Sequence, residues 1–490
     1  MSILQLSRPH GLSIPCIRCS TTSTLFSMAG NSPKVPLRRI PAPPAGWQVL
    51  VYLGPGFLWM LSAAGSGELL FTPRIASLYG YALLWALLLA VALKWFINRE
   101  IGRHTVCTGA TVLQGFAQTS GTWAVWLIIL PQLVVAVASI AGLAGAGATA
   151  IKLLTGGGLP LLTLLTISVA AAAVGFGQYS RIEKMAAVLA GALFVAVLAA
   201  AIGAKPDWAN LVAGLRPQLP ADVNFTEVLP WLGFMLSGAA GMLWFSYWVQ
   251  AKGYGAAAAA PDSQNTGRPE SLPTDTLAGS NPPQDDTAKL QGWTRQMTGT
   301  ITLAVVGATI TALGFLVLGA ELLYPKRLTP EQNQIAQTLG RLLGDVWGRF
   351  GFWFMVSAMA LTFVSTLLSS VDGYSRMLSE GLELVRRERL RWLSPERLKQ
   401  VLLVVVLTGL PAGTYLLVGD PVRLLQLAGG IEAVHIPFVT ALVLYLNKKT
   451  LPPALQPAGV SFWGTVLAGL FFGGFALVYL LQLAGVLGAK

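Results

Sequence analysis

Eleven long apolar runs set the limits on what this chain can fold into. They lie at 48–78, 81–101, 122–150, 159–178, 184–204, 228–250, 299–323, 350–371, 399–418, 422–446 and 461–487. Runs near 20 residues cross a ~30 Å hydrocarbon core as α-helices, whereas a membrane barrel shows ~10-residue alternating segments. Only 11% of the 490 residues are charged and 54% are hydrophobic. An ordinary globular protein carries roughly 25% charged residues, so a soluble fold is excluded. Disorder is excluded over most of the length for the same reason. The 53 glycines and 29 prolines suit membrane helices, which tolerate both. The chain reads as an all-α polytopic membrane protein.

Charge gives an orientation. The net charge is +12, which fits either a nucleic-acid partner or the enrichment of cytoplasmic loops in Lys and Arg. With the N-terminus in the cytoplasm, 23 of the 33 Lys and Arg fall on the cytoplasmic side and 10 on the other. The second explanation therefore suffices. It predicts a cytoplasmic N-terminus, an outer C-terminus and a plasma-membrane location, with an organelle membrane as the alternative. No nucleic-acid partner is expected; anionic lipid is a minor electrostatic one.

Three stretches stand apart. Residues 1–46 contain no Asp or Glu, and the first acid of the chain is Glu68. This Ser-, Arg- and Pro-rich tail is expected to be disordered. It is either a transit peptide or a stretch ahead of a true start at Met28. Cys16 and Cys19 lie alone within it, and with Cys107 they make no disulfide framework. Residues 251–295 are rich in Ala, Pro, Ser, Asp and Gly and predict a mobile cytoplasmic loop. Residues 376–399 read as a charged amphipathic connector, and residues 47–490 as one eleven-helix domain. The ninth and tenth spans are parted by a turn around Gly419-Asp420-Pro421.

Two spans carry sequence that breaks helices. From Gly54 to Ser66 is 12 residues, roughly 18 Å of helix, which reaches mid-bilayer. There the chain reads Gly65-Ser66-Gly67-Glu68. A carboxylate at that depth costs at least ~2.5 kcal/mol and needs a partner, a proton or a water-filled cavity. The sixth span is interrupted likewise by Ser237-Gly238-Ala239-Ala240-Gly241-Met242. Five spans separate the two starts. The pattern predicts a 5+5 inverted repeat whose discontinuous first and sixth helices form a midplane site for an ion or polar solute, with the eleventh span appended.

The residues Gly54-Pro55-Gly56-Phe57-Leu58, followed six residues later by Gly65-Ser66-Gly67-Glu68, resemble the opening of the Nramp metal transporters. Their first helix reads GPGFL, six residues, then DPGN. The second span, Ser365 to Gly373 in the eighth and Ile436-Pro437-Phe438 in the tenth are similar too. The resemblance covers about 48–487. It implies the LeuT-like fold, eleven helices and secondary transport of divalent metal, usually proton-coupled symport. The chain departs from the pattern at the ligands. The family's metal-binding Asp falls on Gly65, its Pro on Ser66 and its Asn on Glu68. Its sixth-helix Met-Pro-His falls on Ala239, Ala240 and Gly241, so the thioether is lost unless Met242 replaces it.

The expected cargo site is therefore Gly65, Ser66, Glu68, Ala239, Gly241 and Met242, with carboxylate, hydroxyl and carbonyl oxygens suited to a hard cation such as Mn or Mg. The same fold carrying a non-metal small solute is the alternative. Glu432 and His435, spaced i, i+3 on one face, and Gln132 after Pro131 are the candidates for proton coupling or gating. Gly429-Gly430 is expected to unwind the tenth span. Asp372 reads as solvated at the inner end of the eighth, and Lys94 and Arg99 as reaching out to the inner interface. There is no Walker A, HExxH or GxSxG motif, and His10, His104 and His435 are far apart. No enzyme activity and no cofactor are expected, and a monomer or weak oligomer is.

Overall fold

The computed structural model describes residues 40–54, 56, 64–177, 180–259, 284–385 and 394–486. The expectations for residues 1–39, including the CxxC pair, for 260–283 and for 386–393 lie outside them. Among the described residues every element is helical or a turn. The first span runs as a π-helix over Ala64–Phe71 and an α-helix over Thr72–Tyr79, together α1. Then come α2 Leu84–Thr108, α3 Thr122–Thr155, α4 Leu159–Gly175 and α5 Ser180–Gly203. The sixth span is two helices, α6 Phe225–Phe234 and α7 Ala239–Ala251. The remainder is α8 Gln284–Leu318, α9 Ile335–Val385, α10 Pro395–Val418 (π-helical over Leu402–Gly409), α11 Pro421–Thr450 and α12 Gly459–Leu483.

Each of the eleven expected spans has its helical counterpart. Counting the broken sixth span as one, seven described helical segments are long and apolar enough to cross a membrane. The second span misses that standard because Lys94, Arg99, Glu100 and Arg103 all lie on α2. The turn before α11 is built as its sequence dictates. Gly419 closes α10 at φ 66°, Asp420 caps α11 by accepting from the amides of Val422 and Arg423, and Pro421 takes the first turn. Gly for the left-handed exit, Asp for the cap and Pro for the first turn are the usual chemistry of such a junction.

Several expected boundaries shift. Helix α8 starts at Gln284, inside the expected mobile loop. Asp285 and Asp286 occupy its first turn, where the helix dipole favours anions, and Lys289 pairs with Asp285 at 2.5 Å. Gly255–Ala259 forms a 3₁₀ turn at the other end of that loop. Part of the tail is docked as well: Trp293 Nε1 donates to the carbonyl of Pro41 at 2.9 Å, and Ile40 packs against Cys107, Ala256 and Leu290. The expected connector is helical at both described ends, within α9 up to Val385 and from Pro395 onward. Helix α9 also begins 15 residues before the expected 350, through a kink at Gly348, φ 65°.

Helix α3 forms the central post, packed chiefly against α9 and α11, while α12 lies on the outside against α11 and α2. Gly429 and Gly430 do not unwind α11, which is continuous there. They serve close packing instead. A Cβ on Gly429 would meet the carbonyl of Pro230 at 2.7 Å, and one on Gly233 of α6 would meet the carbonyl of Gly429 at 2.2 Å. Backbone therefore touches backbone between α6 and α11, as small residues allow in membranes. Gly429→Val should overpack this contact at a cost of about 1–3 kcal/mol and lower the thermal midpoint of the detergent-solubilised protein. An unchanged midpoint would contradict the close approach.

Candidate functional site

The sixth span breaks between Phe234 and Ala239. Leu236 and Ser237 hold φ of 52° and 81°, a left-handed backbone that costs non-glycine residues about 1–3 kcal/mol each. The strained turn is held from outside. Glu68, 2% exposed on the π-helical part of α1, accepts the Leu236 amide on Oε1 at 3.0 Å. Lys94, fully buried on α2, donates to the carbonyls of Gly233, Met235 and Ser237 at 2.7, 2.6 and 2.8 Å. The expectation that Lys94 reaches the membrane surface is therefore wrong. Its ammonium has all three protons engaged at the open C-terminal end of α6, where the helix dipole favours a cation. Arg99, one turn and a residue further on, is the side chain that sits partly exposed, against Thr298 and Glu100.

The start of α7 is met by the opposite charge. Glu432 of α11, 1% exposed, accepts the Ala240 amide on Oε2 at 3.2 Å. Gln132 Nε2 donates to the same oxygen at 3.1 Å and lies 2.9 Å from His435 Nδ1. The three coupling candidates thus form one buried cluster. Tyr374 of α9 and Ser139 of α3 line the same small cavity as Glu432. The two ends of the broken span therefore face a lysine at the carbonyl end and a glutamate at the amide end. The charge of Lys94 acts on both Glu68 and Glu432.

Beside Glu432 and the start of α7 is a cavity of about 30 Å³, lined among others by Ser139, Ser237, Gly241, Thr366, Ser370 and Glu432. Thr366 Oγ1 and Trp244 Nε1 on its wall have no protein partner. A space of that size holds about one water-sized particle. A larger cavity of about 580 Å³ between α1, α5 and α8 touches Glu68, but apart from Glu68 and threonines its walls are Leu, Ala, Gly and Phe. Glu432 and the hydroxyls of Ser139, Ser237, Thr366, Ser370 and Tyr374 line the smaller one, while Glu68 lines the larger.

Of the expected cargo residues, Ala240's neighbour Gly241 lines the cavity, and Ala239 opens α7 after the Gly238 cap. Met242 is in the hydrophobic core and does not line it. Gly65 and Ser66 do not unwind: both belong to the π-helix, and the residues just before it lie outside the described part. Asp372 is buried rather than solvated and pairs with Arg376 at 2.8 Å. Among the described residues no three His, Cys, Asp or Glu side chains cluster in the manner of a metal site. Ser139, Thr366, Ser370 and Tyr374 were not among the expected residues, because a hydroxyl inside an apolar helix carries no sequence signal of its own.

Both ends of the bundle are clamped by buried polar groups. At one end Arg74 of α1 makes a two-pronged pair with Glu227 of α6 at 2.8 and 2.9 Å and donates to the Pro330 carbonyl at 2.6 Å. At the other, Glu380 of α9 accepts from Thr111 at 3.0 Å, from Gln114 at 2.7 Å and from Tyr247 of α7.

Over residues 56–482 the chain matches the family described as Natural resistance-associated macrophage protein-like, Nramp. An uncharacterized protein of Pasteurella multocida (strain Pm70) is 24% identical over 462 residues, covering 88% of this chain and 92% of that protein. The metal transporter Nramp3.2 of Populus trichocarpa is 30% identical over 181 residues, 35% of each chain; the chain thus spans about a third of that plant relative. Among solved structures, a mutant of the Eremococcus coleocola manganese transporter aligns at TM-score 0.64 and 16% identity, over 93% of this chain and 92% of that one. A nucleobase-cation-symport-1 family transporter, Mhp1, aligns at TM-score 0.50 and 12% identity, over 88% of this chain. The fold is the LeuT-like one of these transporters, and the chain, an integral membrane protein and not an enzyme, belongs to the Nramp family of divalent-metal transporters.

Proposed function

We propose that the cargo is a hard divalent cation such as Mn²⁺ or Mg²⁺, moved by alternating access and coupled to protons. One observation carries the choice: the cavity at the broken sixth span measures about 30 Å³, and its ligand atoms are a carboxylate, hydroxyls and backbone set among Leu143, Phe234 and Trp244, with no thioether or imidazole among the lining residues. Oxygen ligands suit Mg, Mn and Ca, while softer metals favour sulfur. A non-metal organic solute needs a pocket of about 300 Å³ or more, ten times the space at the break; the 580 Å³ cavity beside Glu68 has the volume, but beyond Glu68 and threonines its lining is apolar and offers little to orient a polar solute.

In this reading Glu432 and Glu68 supply charge, Ser139, Ser237, Thr366 and Ser370 supply hydroxyls, and Gly65, Ser66, Ala239 and Gly241 lend backbone oxygens as the two halves move. Gln132 and His435 hold Glu432 in place, and Glu432 is the natural proton carrier because it is buried in a hydrogen-bonded cluster. The Arg74–Glu227 pair and the Glu380–Tyr247 cluster open in alternation to admit and release the ion. The distribution of Lys and Arg supports a cytoplasmic N-terminus and an outer C-terminus in the plasma membrane.

Two outcomes are expected in proteoliposomes. Glu68→Gln should lower saturable Mn²⁺ uptake by at least tenfold, about 1.4 kcal/mol of transition-state or site stabilisation; uptake equal to wild type would remove Glu68 from the site. Mn²⁺ entry should acidify the lumen in wild type, read by a trapped pH dye, and Glu432→Gln should abolish that acidification and lower Mn²⁺ uptake at least tenfold. Acidification that survives in Glu432→Gln would assign the proton to another group.

A further inference from the structure

The LeuT-like arrangement exposes carbonyls at the end of a broken half-helix, and such carbonyls bind small cations. Here they are already taken. The ammonium of Lys94 sits 2.6–2.8 Å from three of them, on Gly233, Met235 and Ser237. These are cation-binding distances for a charge-assisted hydrogen bond. Only one of the three carbonyls, that of Gly233, belongs to a regular helix: Met235 and Ser237 follow the last turn of α6, and Ser237 is left-handed. The chain therefore holds a strained backbone in the shape of a three-oxygen cradle and fills it with its own cation.

We propose that Lys94 is a tethered ion that permanently occupies a monovalent-cation site formed by the Gly233, Met235 and Ser237 carbonyls. Two consequences follow for transport. The cargo cannot use those carbonyls and is confined to the Glu432 side of the break. The three buried charges around the break, Glu68, Glu432 and Lys94, also sum to the charge of one carboxylate, so the second acid does not make the site a trap for a divalent ion. Lys94 is thus a positioning and specificity-determining residue, and the protein needs no dissolved Na⁺ or K⁺ at this place.

The inference rests on the cation-transport reading, but its test does not depend on transport. Lys94→Met vacates the cradle. Purified in Na⁺, it should be recovered as monodisperse protein, and Na⁺ or methylammonium should raise its thermal midpoint above that in choline. The wild-type midpoint should respond to neither cation. In proteoliposomes Mn²⁺ uptake by Lys94→Met should be stimulated by Na⁺, while wild-type uptake is the same in Na⁺ and choline. Recovery of folded Lys94→Met with no response to small cations would make Lys94 an ordinary helix cap and overturn the proposal. So would failure to recover it in either medium, or Na⁺ dependence in wild type. Absence of Mn²⁺ uptake by wild type would instead refute the transport reading and leave the midpoint comparison to decide this one.

Discussion

A helix that stops inside a membrane leaves carbonyls and amides with no water to receive them, and each unmatched group costs several kcal/mol. The contact of Lys94 with the end of α6 resolves that problem, and the rest of the site depends on it. Three carbonyls converge on one ammonium, the Leu236 amide goes to Glu68, and the Ala240 amide goes to Glu432. The discontinuity survives because charge from three other spans holds it. Hydrogen bonds to charged groups contribute about 1.5–3 kcal/mol each. That is enough to offset the left-handed backbone of Leu236 and Ser237.

This arrangement links statics to motion. The residues that stabilise the break belong to α1, α2 and α11, whereas the clamps at the two ends of the bundle join α1 to α6 and α9 to α7. In the proposed alternating access, release of these clamps would let the half-helices α6 and α7 tilt about the break while its charges stay matched. A site that tolerates two arrangements of the bundle without exposing an unpaired charge is what alternating access requires.

The sequence made much of this legible. The apolar runs gave the spans, and the Gly-rich centre of the sixth marked the break to within a few residues. Depth arithmetic on Glu68 put it where its partner amide lies. The same depth argument extends to Lys94. It lies ten residues after Leu84, roughly 15 Å along the helix, which is mid-bilayer and too far for a side chain to reach the surface. Gly65 to Glu68 looked unwound because glycine and serine disfavour an α-helix, yet a π-helix accommodates them with wider hydrogen-bonded turns. Gly429 and Gly430 looked alike for the same compositional reason, and only the neighbouring α6 reveals that they serve packing. Composition marks the loop and tail as polar but does not register Trp293 reaching Pro41 or two aspartates starting α8.

The most direct measurement is a structure of the protein soaked with Mn²⁺, with the metal located by its anomalous scattering. A single peak is expected in the break between Phe234 and Ala239, bonded to Glu432 oxygen and neighbouring hydroxyl or carbonyl groups, with Lys94 still seated on its three carbonyls. A peak elsewhere, a metal lying on those carbonyls in place of the lysine, or a sixth span wound continuously through Ser237 would contradict it.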